Sequence, residues 1–339
     1  MAEPILGRKN ILITGGAGFL GSFLADELVK DNNVICVDNF VSGSRSNVEH
    51  LLRNPNFVLV KHDITEPIDL ESLPELEKFK VKFQGIQEIY NLACPMSPKD
   101  FDKYRIETAL ANSVGIANML ELAVKYKAKF MQFSTSAVYG GKTGAIKYFK
   151  EDSYQPMNPV TPRSCYDEGK RFAESLTVTY RDVYNLDAKI VRVFRTYGPR
   201  VRLFSGEMVP DFVVQALDNQ DLIIYGDENF STSLCYIDDV VKAAVKMMST
   251  AEQGPMNIGS ADEYRLADVA KKIIQMTGSK SKIVYRPAML FVTQLGLPDI
   301  TLAKERLNWL PVTTLEKGLE KTIDYAKAHK VLVGTQREE

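Results

Sequence analysis

Ile11-Leu-Ile-Thr-Gly-Gly-Ala-Gly-Phe-Leu-Gly21 decides the reading of this chain. An apolar run of strand character passes directly into Gly15, Gly18 and Gly21, and Ser22-Phe-Leu-Ala-Asp-Glu-Leu28 then has helical character. The three glycines serve different ends: a tight turn, close approach of the backbone to a pyrophosphate, and close packing of helix on strand. The first amides of such a helix point at the phosphates, and its dipole favours their negative charge. The run is short, and by itself it also fits an ordinary turn.

The next apolar segment, Asn33-Val-Ile-Cys-Val-Asp38, ends in a carboxylate seventeen positions beyond Gly21. An acidic group there accepts the hydroxyls of an adenosine ribose and repels a 2′-phosphate, which selects NAD over NADP. The competing role for Asp38 is a cap at a strand end. Asp63, which closes Phe57-Val-Leu-Val-Lys-His-Asp63, is placed either to hold the adenine amino group or to make a turn.

The bulk numbers remove several classes of function. With 42 Lys and Arg against 43 Asp and Glu, the net charge is −1, so no field draws nucleic acid or an anionic membrane. Its 339 residues, 45% hydrophobic and 25% charged, suit one large or two interleaved globular domains. No apolar run reaches membrane-spanning length, and the first ten residues do not read as a signal peptide. Cys36, Cys94, Cys165 and Cys235 are scattered through apolar runs, the pattern of reduced thiols in a cytoplasmic protein. His50, His62 and His329 lack metal-ligand spacing.

Strand-like runs at 11–14, 34–38, 57–61, 88–93, 130–134 and 189–194 alternate with helical patterns, notably 106–126 and 166–184. Such alternation predicts a doubly wound parallel α/β sheet of Rossmann type. After Tyr197-Gly-Pro-Arg200 the elements become shorter and mixed. The expected organisation is a cofactor domain over 1–196, a partly interleaved substrate lobe over 197–330, and a frayed tail over 331–339.

Tyr166-Asp-Glu-Gly-Lys170 is the second signal. On a helix, positions i and i+4 share a face, so the phenol and the ammonium are expected as neighbours. A nearby cation stabilises phenolate, which would bring the tyrosine towards neutrality as a general base. Thr135, at the end of the preceding strand-like run, is placed to orient a substrate hydroxyl. Tyr-x-x-x-Lys is common on exposed helices; its position after a dinucleotide loop gives it meaning.

From Gly15 to about residue 328 the chain resembles the extended short-chain dehydrogenase/reductases that act as nucleotide-sugar epimerases and dehydratases. Gly15–Gly21, Val37-Asp38-Asn39, Asp63-Ile64, Asn91-Leu92-Ala93, Ser134–Gly140, Tyr166 with Lys170, Tyr197–Arg200, Tyr225-Gly226 and Tyr236–Asp239 carry the resemblance. Within the family, Pro162–Arg171 and Asn47–His50 are most similar to UDP-glucuronate decarboxylases. The resemblance implies tightly held NAD+, hydride removal from a sugar carbon, usually C4, and proton removal by Tyr166 with Thr135 and Lys170 assisting. It implies cofactor contacts from Gly15, Gly18, Phe19, Leu20, Asp38, Asn39, Asp63, Ile64, Leu92 and Ala93. A homodimer through a four-helix bundle of the helices at 106–126 and 166–184 is also implied.

Several positions depart from the family pattern. Ala137 stands where decarboxylases and 4,6-dehydratases carry a glutamate, and Ser136 where dehydratases carry an aspartate. A methyl group cannot shuttle a proton, which disfavours dehydration. Decarboxylation needs less help, because a 4-keto sugar acid loses CO2 readily. Arg195 replaces a usual asparagine, Thr232 falls where an arginine of the family grips the diphosphate, and Gly296 or a neighbour where a second phosphate-clamping arginine is expected. Arg195, Arg202 and Arg286 are the candidates to restore that charge, with Ser136, Ala137 and Tyr225 as further substrate contacts. The substrate expected is a nucleotide sugar or sugar phosphate. Three readings follow: an epimerase or C4 oxidase, a divergent decarboxylase or dehydratase, and a non-catalytic NAD-binding regulator.

Overall fold

The computed structural model describes residues 7–95, 101–141, 146–287 and 295–334. Five strands, β1 (Asn10–Thr14), β2 (Asn33–Asp38), β3 (Phe57–Lys61), β4 (Glu88–Asn91) and β5 (Lys129–Thr135), alternate with helices in the first half of the chain. The strands Ala188–Val193 and Met256–Ile258 complete a seven-stranded sheet. Its spatial order is Met256–Ile258, Ala188–Val193, β5, β4, β1, β2, β3, and every adjacent pair is parallel. The order reverses between β1 and β4, which opens the crevice where ligands of such sheets bind.

Both faces of the sheet are covered, so its strands are apolar almost throughout. Side chains alternate across the pleat. Ile11 and Ile13 face the helices Phe19–Leu28, Ile237–Met248 and Leu266–Thr277, whereas Leu12, Ile35 and Phe130 face Ile116–Tyr126 and Ala173 of the helix Ser164–Tyr184. The strand Met256–Ile258, only three residues long, gave no periodic signal in the sequence. The helix expected over 106–126 is interrupted by a π-helical turn at Ala111–Gly115. That turn carries Asn112, whose Nδ2 donates to Thr108 O at 2.8 Å and to Cys94 Sγ at 3.1 Å.

The remaining strands pair in twos beyond the sheet. Leu222–Tyr225 runs parallel to Ile283–Arg286, and Ser231–Thr232 runs antiparallel to Tyr264–Arg265. The last helix, Leu315–Gly334, continues past Val331, where fraying was expected; 335–339 lie outside the described residues.

Candidate active site

At the carboxyl ends of the strands lies a cleft of about 1010 Å3. The glycine turn forms one wall. Gly15 has φ +66°, and a Cβ there would stand 3.0 Å from Ala93 Cα, so the turn presses directly on the segment after β4. A Cβ at Gly21 would come within 2.2 Å of Gly15 O, which forces glycine where the helix meets the turn. The helix Phe19–Leu28 begins at Gly18 with no side-chain cap and no acidic residue in its first turn. Its leading amides are therefore open to an anionic ligand.

Asp38 is buried at the end of β2. Its carboxylate accepts from Ala17 N at 2.9 Å and Phe40 N at 2.8 Å. Burial raises its carboxyl and the two amides oppose that shift. Asp63 lines the same wall and accepts from Asn39 Nδ2 at 2.8 Å and from Thr65. Burial alone would raise it; the hydrogen bonds from Thr65 and Asn39 prevail and hold it below the ordinary range. Both carboxylates thus order their loops and also border the cleft. The uncapped helix, the glycine cradle and Asp38 fit a dinucleotide with an unphosphorylated adenosine ribose.

Gly15, Gly18, Phe19, Leu20, Asp38 and Asn39 line the cleft, and so do Asp63, Ile64, Leu92 and Ala93. Thr135, Ser136, Ala137, Tyr166 and Lys170 line the same cleft, as do Arg195 and Arg202. Tyr225 and Arg286 do not line it: they are register partners on the outlying pair of strands, with Arg286 exposed.

Tyr166 is buried, and Thr135, at the end of β5, stands near its phenol and favours its ionised form. The ammonium of Lys170 lies 6.0 Å from the ring centroid and donates to Phe133 O at 3.0 Å. The tyrosine is not brought towards neutrality as the spacing suggested. Burial pushes its phenol well above the usual range, Cys94 adds to the rise, and Thr135 only partly offsets it. The lysine charge is spent on a strand carbonyl, which fixes the helix against β5.

A further ion pair sets that helix on the sheet. Glu174 takes both arms of Arg192, at 2.9 and 2.7 Å, and accepts from Ser134 Oγ at 2.5 Å. The Arg192 guanidinium also lies 4.7 Å from the centroid of Tyr139. The sequence reading passed over Arg163 and Glu207, which line the cleft. Arg163 stands 5.8 Å from the Tyr166 ring and is held by Asp167 at 2.8 Å. Its place three residues before Tyr166 was the available clue, since i and i+3 are neighbours on a helix. Glu207 carries no such clue; burial raises its carboxyl despite Arg195.

A parallel sheet with a glycine cradle at its switch point defines a dinucleotide-binding fold of Rossmann type, and Tyr166 and Thr135 border the same cleft as that cradle. The chain belongs to the family described as GDP-mannose 4,6 dehydratase, which it matches over residues 12–322. It is 40% identical over 311 residues to UDP-glucuronic acid decarboxylase 4 of Arabidopsis thaliana, covering 91% of this chain and 66% of that protein. It thus spans just under two thirds of that relative's length. UDP-glucuronic acid decarboxylase 5 of the same plant is 36% identical, with 92% and 87% covered. Among solved structures, UDP-glucuronic acid 4-epimerase from Bacillus cereus, in complex with UDP-glucuronic acid and NAD, superposes with a TM-score of 0.81. The two are 28% identical, and the match covers 94% of this chain and 99% of that one. dTDP-glucose 4,6-dehydratase from Bacillus anthracis, in complex with NAD, gives 0.80 at 27% identity, with 95% and 98% covered.

Proposed function

We propose that this chain binds NAD+ and oxidises a secondary hydroxyl of a nucleotide sugar, at C4 of the sugar, with Tyr166 as the base. One observation carries this reading: the Tyr166–Thr135 pair and the glycine cradle border a single cleft. NAD+ bound along the cradle supplies the hydride acceptor. The chain's own part is to orient the hydroxyl through Thr135 and take its proton at Tyr166 Oη, whose burial keeps water away. Return of hydride to the opposite face gives a C4 epimer, and release before return gives the keto sugar.

Decarboxylation is the second reading, favoured by the identity to UDP-glucuronic acid decarboxylases. Ala137, buried against Tyr166, offers no proton-transfer group, so loss of CO2 would depend on the 4-keto acid itself. Incubation with UDP-, GDP-, CDP- and dTDP-sugars, followed by product mass and reduced-nicotinamide absorbance, separates the outcomes. Unchanged mass means epimerisation, loss of CO2 decarboxylation, loss of water dehydration, and a deficit of two hydrogens net oxidation. Tight NAD+ binding with no turnover of any sugar would leave only a regulator.

A homodimer is part of the proposal. Ile106, Leu110 and Val114 are exposed at four-residue spacing, and Phe172, Val183 and Tyr184 are exposed on the helix packed beside them. Two such faces together would form a four-helix bundle. The four cysteines are free, which supports a reducing, cytoplasmic setting. Among the described residues no helix is long and apolar enough to cross a membrane.

A further inference from the structure

Cys94 and Cys165 both pack against the small buried cluster that Tyr166 forms with Ala137. They arrive from different elements, Cys94 from the segment after β4 and Cys165 from the first turn of the helix Ser164–Tyr184. One amide locates them with respect to each other. Asn112 Nδ2 lies 3.1 Å from Cys94 Sγ, and a Cβ built at Gly169 would stand 3.3 Å from the same nitrogen. Gly169 follows Cys165 by one helical turn, so the two share a face. Cys94 therefore lies against the helix face that carries Cys165, and the two thiols are close enough to act on each other electrostatically. Both are free and only partly buried, and Cys94 borders the cleft. Cys36 and Cys235, by contrast, are buried in the main core. Burial raises the Cys165 thiol and Arg105 opposes that rise, which makes Cys165 the slower nucleophile of the pair. An open thiol with a second thiol poised behind it is the arrangement of a redox pair.

We propose that Cys94 and Cys165 form a reversible disulfide that switches off the chemistry at Tyr166 when glutathione disulfide accumulates. The Cys94 thiolate attacks one sulfur of glutathione disulfide, forming a mixed disulfide and releasing one glutathione. Cys165, once deprotonated, attacks the Cys94 sulfur and expels the second glutathione. The protein gives up two protons and two electrons, and one glutathione disulfide becomes two glutathiones. The new bond ties the segment after β4 to the helix turn that carries Tyr166, and so takes the phenol out of its working position. Only the loss of turnover rests on Tyr166 as the base; the disulfide itself does not.

To test this, the NAD+-saturated protein is equilibrated with glutathione disulfide, and its mass and thiol count are read without reductant. The expected product is lighter by two hydrogens and has lost two of its four thiols, and a digest joins the Cys94 and Cys165 peptides. Turnover of whichever nucleotide sugar the protein accepts should fall in step with the disulfide and return with dithiothreitol. Cys165→Ser should stop at a glutathione adduct on Cys94, and Cys94→Ser should show no loss of two hydrogens. NAD+ binding by both variants shows that they are folded. A wild-type protein that keeps all four thiols, stops at a glutathione adduct or joins a different pair overturns the redox pair. A disulfide that forms without loss of turnover overturns the switch. If no sugar is turned over at all, the nucleotide-sugar reading falls, and mass and thiol count alone decide the pair.

Discussion

Tyr166 works from an unfavourable starting point. Burial holds its proton tightly, and the lysine one turn away is bonded to a backbone carbonyl. In a cleft of this kind the phenolate fraction rises tenfold for each pH unit below the phenol's pKa, which here lies above the ordinary tyrosine value. The acid limb of kcat/KM should therefore climb with unit slope through pH 6–9, and a flat profile would remove Tyr166 as the base. Tyr166→Phe should lower kcat by about 10² to 10⁴-fold while NAD+ still binds, the usual range for loss of a general base. The glycine turn, Asp38 and the Tyr–Lys spacing were all readable because each is a local pattern with a local cause. The upward shift of the phenol was not, because it comes from what surrounds Tyr166 in space: Ala137, Cys94 and Cys165. The Arg195–Thr232 bond was equally hidden. Sequence marked both positions as unusual but separated them by 37 residues.

The helix Ser164–Tyr184 positions the reacting pair, and its anchorage is electrostatic as well as apolar. Glu174 and Arg192 pair across helix and strand with little exposure. Arg192→Met should destabilise the fold by about 3–5 kcal/mol, the range for stranding one partner of a buried pair. Chemical denaturation measures the loss. Glu174→Gln with Arg192→Met should recover part of it, since no bare charge is then left in the interior. The element boundaries expected from sequence held to within a residue or two through the first half. The π-turn at Ala111–Gly115 escaped, because one inserted residue leaves the apolar periodicity of a long helix nearly intact. The pairing of the strands that carry Tyr225 and Arg286 escaped for a similar reason: their motif is local, but that pairing is not.

For the assembled protein, the exposed apolar row on the paired helices is the feature with the widest effect. If it mediates the proposed dimer, Ile106→Glu with Val114→Glu should yield a monomer by sedimentation, because burying two added carboxylates in such a bundle is costly. Sedimentation of the unaltered chain as a monomer at micromolar concentration would sink the dimer outright. The parallel fold was legible from the strand–helix rhythm alone, and the expected cofactor side of the cleft followed from it. The substrate side was only partly legible, because its residues come from many short segments after residue 197.

The sheet closes late. Ala188–Val193 bonds to β5 on one edge and to Met256–Ile258 on the other, a strand supplied only after the helices Met208–Leu217 and Ile237–Met248 have been made. During synthesis that second edge stays unsatisfied, a row of free amides and carbonyls able to template aberrant pairing with another nascent chain. A fragment ending at residue 196 would keep this vulnerability permanently. It should collect in inclusion bodies, whereas a fragment ending beyond the helix Leu266–Thr277 should stay in the supernatant.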